Sequence, residues 1–336
     1  MELDRRTLML AGMLAMTSAC AKASNPPKRA GHPAWAAFKA SYVQPDGRVV
    51  DTGNGGISHS EGQGYAMLLA EAAGDRAAFM QIHGWTEKVL LRRDVALFSW
   101  RYDPKAPVPV SDPNNASDGD ILIAWALLRA GQRWQDQALL ARSTQIRTAI
   151  RGNLVRQAFG KTILLPGKTG FDAADRVTLN LSYYIWPALD AFAAADGGAA
   201  WSALIRDGEA LVAQAQFGPL GLPTDWIDLT ASGKPEPARG RAPQFGFDAV
   251  RIPLYLLLGN RKPATKRIAA FWKSYADRAQ PIPAWVDVVT GEAAPYPLSA
   301  GGMAIVRRLI GQTAHGSAAG GAPDYYSSVL DALAQL

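Results

Sequence analysis

The 336-residue sequence has one cysteine, Cys20, so no disulfide can form within the chain and a disulfide-stapled fold is excluded. Its four histidines, His32, His59, His83 and His315, show no metal-ligand spacing. With no second cysteine there is no zinc pattern either, and neither a metal nor a nucleotide cofactor is expected. Charged residues make up only 19%, and the 35 basic and 29 acidic side chains are interspersed. A net charge of +6 without a basic run lacks the clustered footprint of a nucleic-acid binder. What the chain has in quantity is hydrophobic residues, 48%, enough for a large core and outside the range of disordered or fibrous proteins.

The first thirty residues differ from the rest. Arg5 and Arg6 precede an apolar stretch from Leu8 to Met16, then small residues and a polar, proline-containing segment, the layout of a signal peptide. The stretch is too short to span a bilayer, so no stable membrane insertion is expected. Ala21-Lys22-Ala23 fits a small-x-small cleavage site, and Arg5-Arg6-Thr7-Leu8 loosely fits a twin-arginine signal. Cys20 stands where a lipidated cysteine would, but Thr17 is not the aliphatic residue such signals favour, so simple cleavage is expected. The expected division is a signal peptide over 1–23, a linker over 24–31 and one domain over 32–336, with a periplasmic or secreted destination.

From His32 onward no linker or low-complexity tract interrupts the chain. A pattern recurs six times: a short polar or glycine-containing start leads into a mostly apolar helix. The copies begin at Ser60, Ser117, Asn180, Phe245, Leu298 and Asp324. Between them lie amphipathic segments such as 76–91, 134–155, 199–215 and 264–276, with 33–42 ahead of the first copy. Helices apolar all round must be buried, and amphipathic ones can cover them, so the alternation predicts an inner ring wrapped by an outer ring, an all-α (α/α)6 barrel. The same periodicities also permit an irregular helical bundle.

The starts of the apolar helices hold an unusual share of acids: Glu61, Asp118, Asp120, Asp248 and Asp324. If the helices run the same way round the ring, these gather at one mouth. Each also has an ordinary explanation, because an acid in a first turn meets the helix dipole favourably. Ser60-x-x-Gln63 and Ser117-x-x-Asp120 both fit capping boxes. The glycines around Glu61, in DTGNGGISHSEGQGY, allow close approach of a substrate. They do not form a phosphate loop, which needs a Lys-Ser/Thr ending.

The segments GNGGISHSEGQGYAM, FSWRYD, NNASDGDILIAWAL, NLSYYIWPAL, FGFDAVRIPLYL and APDYYSSVL, in this order, resemble glycoside hydrolase family 8, especially the periplasmic endo-β-1,4-glucanases that accompany bacterial cellulose synthases. The resemblance implies an (α/α)6 barrel and a cellulose-like substrate. It implies that Glu61 is the proton donor, Asp248 the general base and Asp118 the acid that holds the sugar at the cleavage point. It also implies a β-glucan as partner and makes a cellulose synthase complex a further candidate. Related members act on xylan, chitosan or mixed-linkage glucan, and a glucan-binding export factor with vestigial activity is a reading from another class.

Inverting hydrolysis needs a protonated acid on the leaving oxygen and a base that activates water from the opposite face. Glu61 must hold its proton although a helix N-terminus favours the anion by about 0.3 to 1 kcal/mol; burial and a neighbouring Asp118 can shift a carboxyl by several times that. Flat side chains would carry the sugar faces, and Trp100, Tyr183, Tyr184 and Trp226 are the candidates, each weighed against ordinary core packing. Arg251, three residues after Asp248, shares its helix face and could orient it. His59 stands beside the Glu61 motif and could contact substrate, but its spacing carries no ligand signal, and a surface or loop-packing role is expected. Phe247 replaces the tyrosine that many relatives carry before the base.

Overall fold

The computed structural model describes residues 32–311 and 324–336; the expected signal peptide and linker, Cys20 and His315 lie outside the described residues. Among the described residues the α-helices are α1 (Trp35–Tyr42), α2 (Ser60–Ala73), α3 (Arg76–Val89), α4 (Ser117–Trp134), α5 (Gln137–Asn153), α6 (Trp186–Asp196), α7 (Ala199–Gln214), α8 (Arg251–Leu258), α9 (Lys266–Ala276), α10 (Ala300–Ile310) and α11 (Tyr325–Leu333). Six of them close a circuit: α2 packs on α4, α4 on α6, α6 on α8, α8 on α10, α10 on α11, and α11 back on α2. These are the six apolar copies of the sequence, and the architecture is the (α/α)6 barrel.

Burial explains which helix goes where. In α4 every residue from Ile121 to Leu128 is buried, so no face is left for water. In α9 the buried side chains are Ile268, Phe271 and Trp272, the i, i+3, i+4 stripe of a helix that covers others. Around the ring α3 packs on α2, α5 on α4, α7 on α6, α9 on α10, and α1 against both α2 and α11. Five outer helices are thus described where about six were expected.

The two innermost neighbours touch through glycine. A methyl on Gly64 of α2 would lie 2.5 Å from Leu122 Cβ of α4, and one on Gly119 of α4 would lie 2.8 Å from the Glu61 amide nitrogen. Only hydrogen fits at either place, and the close approach sets the first turns of α2 and α4 side by side.

Helix caps do not follow the division into inner and outer helices, since the inner α10 and α11 are capped by Ser299 and Asp324 while the outer α1, α7 and α9 have no side-chain cap. The outer helices α3 and α5 start on aspartates, with Asp75 accepting from Ala78 N and Asp136 from Ala138 N and Leu139 N. By contrast α2, α4, α6 and α8 have no side-chain cap. The two expected capping boxes are therefore absent. Ser60 Oγ and Ser117 Oγ have no hydrogen-bond partner. Gln63 instead accepts from Val49 N at 2.6 Å and donates to Thr86 Oγ1 at 2.9 Å. Asp120 accepts from Phe98 N at 2.9 Å and from Asn115 Nδ2 at 2.7 Å. Both side chains tie a buried helix start to adjoining segments, a stronger demand than capping because those buried amides need partners. Asp324 does cap, accepting from Ser327 N at 2.6 Å.

Among the described residues the loops hold five small antiparallel sheets that an all-α reading did not anticipate. Ser58–His59 pairs with Arg101–Tyr102, which brings Trp100 beside the start of α2. A three-stranded sheet of Arg176–Leu179, Ile227–Thr230 and Pro235–Pro237, with Ile227–Thr230 central, brings residues 180–183 and 225–226 to one edge.

Gly64→Ala should lower stability by about 1–3 kcal/mol through overpacking against Leu122. Gly84→Ala, on the outer helix α3 where a methyl meets nothing within 4 Å, should be neutral or stabilise by about 0.5–1 kcal/mol. Thermal melts of the two proteins check this, and equal shifts would show that the α2–α4 contact is not tight.

Candidate active site

Arg251, in the first turn of α8, is 2% exposed and reaches across the ring. Its Nη2 lies 2.6 Å from Asp248 Oδ1 and donates to Ser182 Oγ at 3.1 Å. Its Nη1 is in contact with Glu61 Oε1, donates to Tyr65 Oη at 3.0 Å and stands 3.8 Å from Asp118 Oδ2. One guanidinium thus gathers the three acids picked out in the sequence, from the starts of α2, α4 and α8. The (i, i+3) pairing with Asp248 is present as expected, but Arg251 also does what no helical pair does, joining three elements.

Tyr65 donates to Glu61 Oε1 at 2.7 Å and lies 3.0 Å from the Tyr255 hydroxyl. Spacing alone could have found it, since it follows Glu61 by one helical turn. Asp118 is buried, and its Oδ1 accepts from Gly119 N at 2.8 Å. Burial, with the nearby Asp248 and Asp120 carboxyls adding to it against the opposing Gly119 amide, pushes Asp118 from the 3.8 of a free aspartate to about 8. Asp248 is pushed up as well, first by burial and then by the charge of Asp225; Asn180, Trp226 and Arg241 act the other way. Asp225 was missed in the sequence, because it lies in a loop with no periodicity and meets Asp248 only through the fold.

The aromatic candidates separate. Trp100 is partly exposed, donates from Nε1 to Asp112 Oδ2 at 2.7 Å, and has its ring 6.2 Å from that of His59. Its carbonyl accepts from Ser60 N at 3.0 Å, so it borders the Glu61 turn. His59 itself is paired with Asp51, Nε2 to Oδ2 at 3.2 Å. Tyr183 meets Trp226 edge to face at 6.0 Å and lies under the Arg251 guanidinium. Burial and the charges of Asp118 and Asp248 raise its hydroxyl far above the ordinary tyrosine range, so it borders both acids. Trp226 is partly exposed, stacked on Phe171 at 5.8 Å with Arg241 4.0 Å from its ring centre.

Tyr184 is a correction: it is fully buried, packs against Trp186, and its hydroxyl accepts from Leu164 N at 3.0 Å. The 3₁₀ turn Leu181–Tyr183 sends the two neighbouring tyrosines in different directions, and only Tyr183 borders the cleft. Phe247, beside the base candidate, is 54% exposed, and its carbonyl accepts from Tyr326 Oη at 2.5 Å. Among the described residues there is no group of three or more metal-ligating side chains, and no helix is long and apolar enough to cross a membrane.

Comparison with known proteins bears on this cluster of acids. The sequence profile of Glycosyl hydrolases family 8 matches residues 1–336. The chain belongs to this family. It is a glycoside hydrolase, and relatives agree along most of its length. An endoglucanase of Cellulomonas uda is 44% identical over 283 residues, covering 84% of this chain and 78% of that protein. Endoglucanase Cel10 of Klebsiella pneumoniae superposes with a TM-score of 0.85 at 43% identity, covering 90% of this chain and 97% of that one. The endo-β-1,4-glucanase CMCax of Acetobacter xylinum does so with a TM-score of 0.84 at 39% identity, covering 89% and 95%.

In this family 8 hydrolase the raised Asp118 has a consequence for stability. The folded chain keeps a proton on it, between about pH 4 and about pH 8, that the unfolded chain releases. Its contribution is complete below pH 4 and is lost as pH rises through 8. Asp118→Asn, which cannot ionise, should therefore raise the melting temperature at pH 7.5 by clearly more than at pH 4.5. Equal shifts at the two pH values would show that Asp118 titrates normally in the folded protein.

Proposed function

We propose that this chain is an endo-β-1,4-glucanase, acting on cellulose or a related glucan with inversion at the anomeric carbon. The observation that carries the reading is the convergence of Glu61, Asp118 and Asp248 on Arg251 at the starts of three inner helices. The likeness to endoglucanases, one of them an endo-β-1,4-glucanase, supports the substrate class.

In this proposal Glu61 donates its proton to the leaving oxygen and Asp248 takes a proton from the attacking water. Three carboxyls around one buried guanidinium would carry a net negative charge if all were ionised, which burial opposes, so protons stay in the cluster. The raised Asp248 suits a base, because a base is most effective with a pKa near the working pH. Asp118, raised to about 8, keeps its proton at neutrality and can donate a hydrogen bond to a sugar hydroxyl. Trp100, Tyr183 and Trp226 offer rings for the apolar sugar faces, with Arg251 holding the three acids together at the cleavage point.

We further propose export to the periplasm or beyond, supported by the Arg5-Arg6 and Leu8–Met16 pattern. A role beside a cellulose synthase complex, trimming chains as they emerge, is supported by the motif resemblance.

Glu61→Gln and Asp248→Asn should each lower the rate of viscosity loss of carboxymethylcellulose by about 10²–10⁴-fold while the proteins still fold. The first product, followed by NMR, should be the α-anomer, as inversion of a β-linkage requires. Retained activity in either variant would remove that residue from its role, and a β-anomer would remove the inverting mechanism.

A further inference from the structure

Asp248 stands in the turn that leads into α8, not within the helix, so helical hydrogen bonding does not fix it. The Asp225 carboxylate supplies that restraint. Its Oδ1 accepts from three backbone amides of the turn: Gly246 N at 3.0 Å, Asp248 N at 3.1 Å and Ala249 N at 2.7 Å. The contact is reinforced from the other side, because Asp225 N donates to Gln244 O at 2.7 Å. A methyl on Gly246 would sit 2.8 Å from Asp225 Oδ2, so the turn closes on the carboxylate only where no side chain intervenes.

We propose that Asp225 is a positioning residue for the general base: by gathering the amides of residues 246, 248 and 249 it fixes the turn and with it the direction of the Asp248 carboxyl. The inference rests on the reading of Asp248 as the base. Burial raises the Asp225 carboxyl above the ordinary aspartate range, and the three amides oppose that rise by favouring its anion. Its charge opposes ionisation of Asp248, whereas Arg251 of α8 and Arg241 of the preceding loop favour it. Asp118 of α4, which keeps its proton, is itself raised by the Asp248 charge, and the Tyr183 and Tyr326 hydroxyls, raised by the same carboxyl, stay neutral. Among these side chains Asp225 is the one that accepts from the Asp248 amide, so it couples the geometry of the turn to the basicity of Asp248.

The test is Asp225→Asn in the full chain, with Asp225→Ala beside it and Asp248→Asn as control. Asparagine keeps an acceptor for the amides but removes the charge. The acidic limb of the kcat/KM profile on a soluble β-1,4-glucan should move to lower pH by half a unit or more, with kcat at the optimum reduced less than tenfold. Asp225→Ala frees the turn, and its kcat should fall at least 100-fold with KM changed less than threefold. An acidic limb that stays in place in Asp225→Asn overturns the proposal, since a merely structural residue would alter the melting temperature and not this limb. So does an alanine variant with kcat within tenfold of the parent. If Asp225→Asn does not fold, Gly246→Ala decides: it leaves the carboxylate but pushes a methyl against it, and kcat kept within twofold overturns the proposal. Activity that survives Asp248→Asn instead sinks the assignment of the base, and is thereby told apart from a failure of Asp225.

Discussion

The site is organised by a single buried cation. Arg251 lies inside the ring, where an unpaired guanidinium would carry a desolvation cost of several kcal/mol. Contacts with Glu61 and Tyr65 of α2, with Ser182 and with Asp248 offset that cost, and they come from three different stretches of chain. The carboxyls need the cation for the same reason. Neither the guanidinium nor the acids would be tolerable in this setting alone, so the fold must bring the starts of α2, α4 and α8 together or leave charge buried without a partner. Buried ion clusters are poor stabilisers compared with apolar packing, and a cluster of this size is better understood as a requirement of the chemistry than of the fold.

The ring makes that convergence possible by means that have little to do with charge. Gly64 and Gly119 let α2 and α4 approach until their first turns adjoin, which sets Glu61 next to Asp118. Gln63 and Asp120, each two residues after an acid, fasten the same turns to the 47–49 segment, to Thr86, and to Phe98 and Asn115. Small antiparallel pairs then carry Trp100 and Trp226 to the rim. Rigid helix starts position the reacting groups, and loops carry the surfaces that meet the polysaccharide.

This division explains what the sequence made legible. Burial on all sides leaves a strong trace, an apolar stretch with no polar face, so α2, α4, α6, α8, α10 and α11 could be counted before any coordinates. Acids at their starts could be counted too, although capping was the safer explanation for each until the ordered motifs suggested otherwise. Asp324 did cap, Asp120 pinned a loop, and Glu61 and Asp118 did neither. Adjacent residues in an irregular turn left no such trace. Tyr183 and Tyr184 read alike, yet one borders the acids and the other is bonded to Leu164 in the core. Asp225 was silent for the same reason: nothing periodic links a loop aspartate to amides 246–249, and only the folded chain joins them.

Glu61 and Asp118 stand in the first turns of their helices, whereas Asp248 stands in the turn ahead of α8. A helix N-terminus favours the anions of Glu61 and Asp118 alike, by about 0.3 to 1 kcal/mol, so it cannot give the two different tasks. The differences come from what surrounds each carboxyl. Glu61 is held between a tyrosine hydroxyl and the guanidinium. Asp118 is the most enclosed, and the amides bonded to it are those of Gly119 and of its own residue. Asp248 faces a second carboxylate, that of Asp225, on one side and Arg251 on the other. The base is thus poised between an attraction and a repulsion of similar reach, so small movements of its turn would change both its direction and its basicity. A turn anchored by three amides on one oxygen resists such movement, and this makes the rigidity of an unremarked loop part of the same electrostatic arrangement that Arg251 begins.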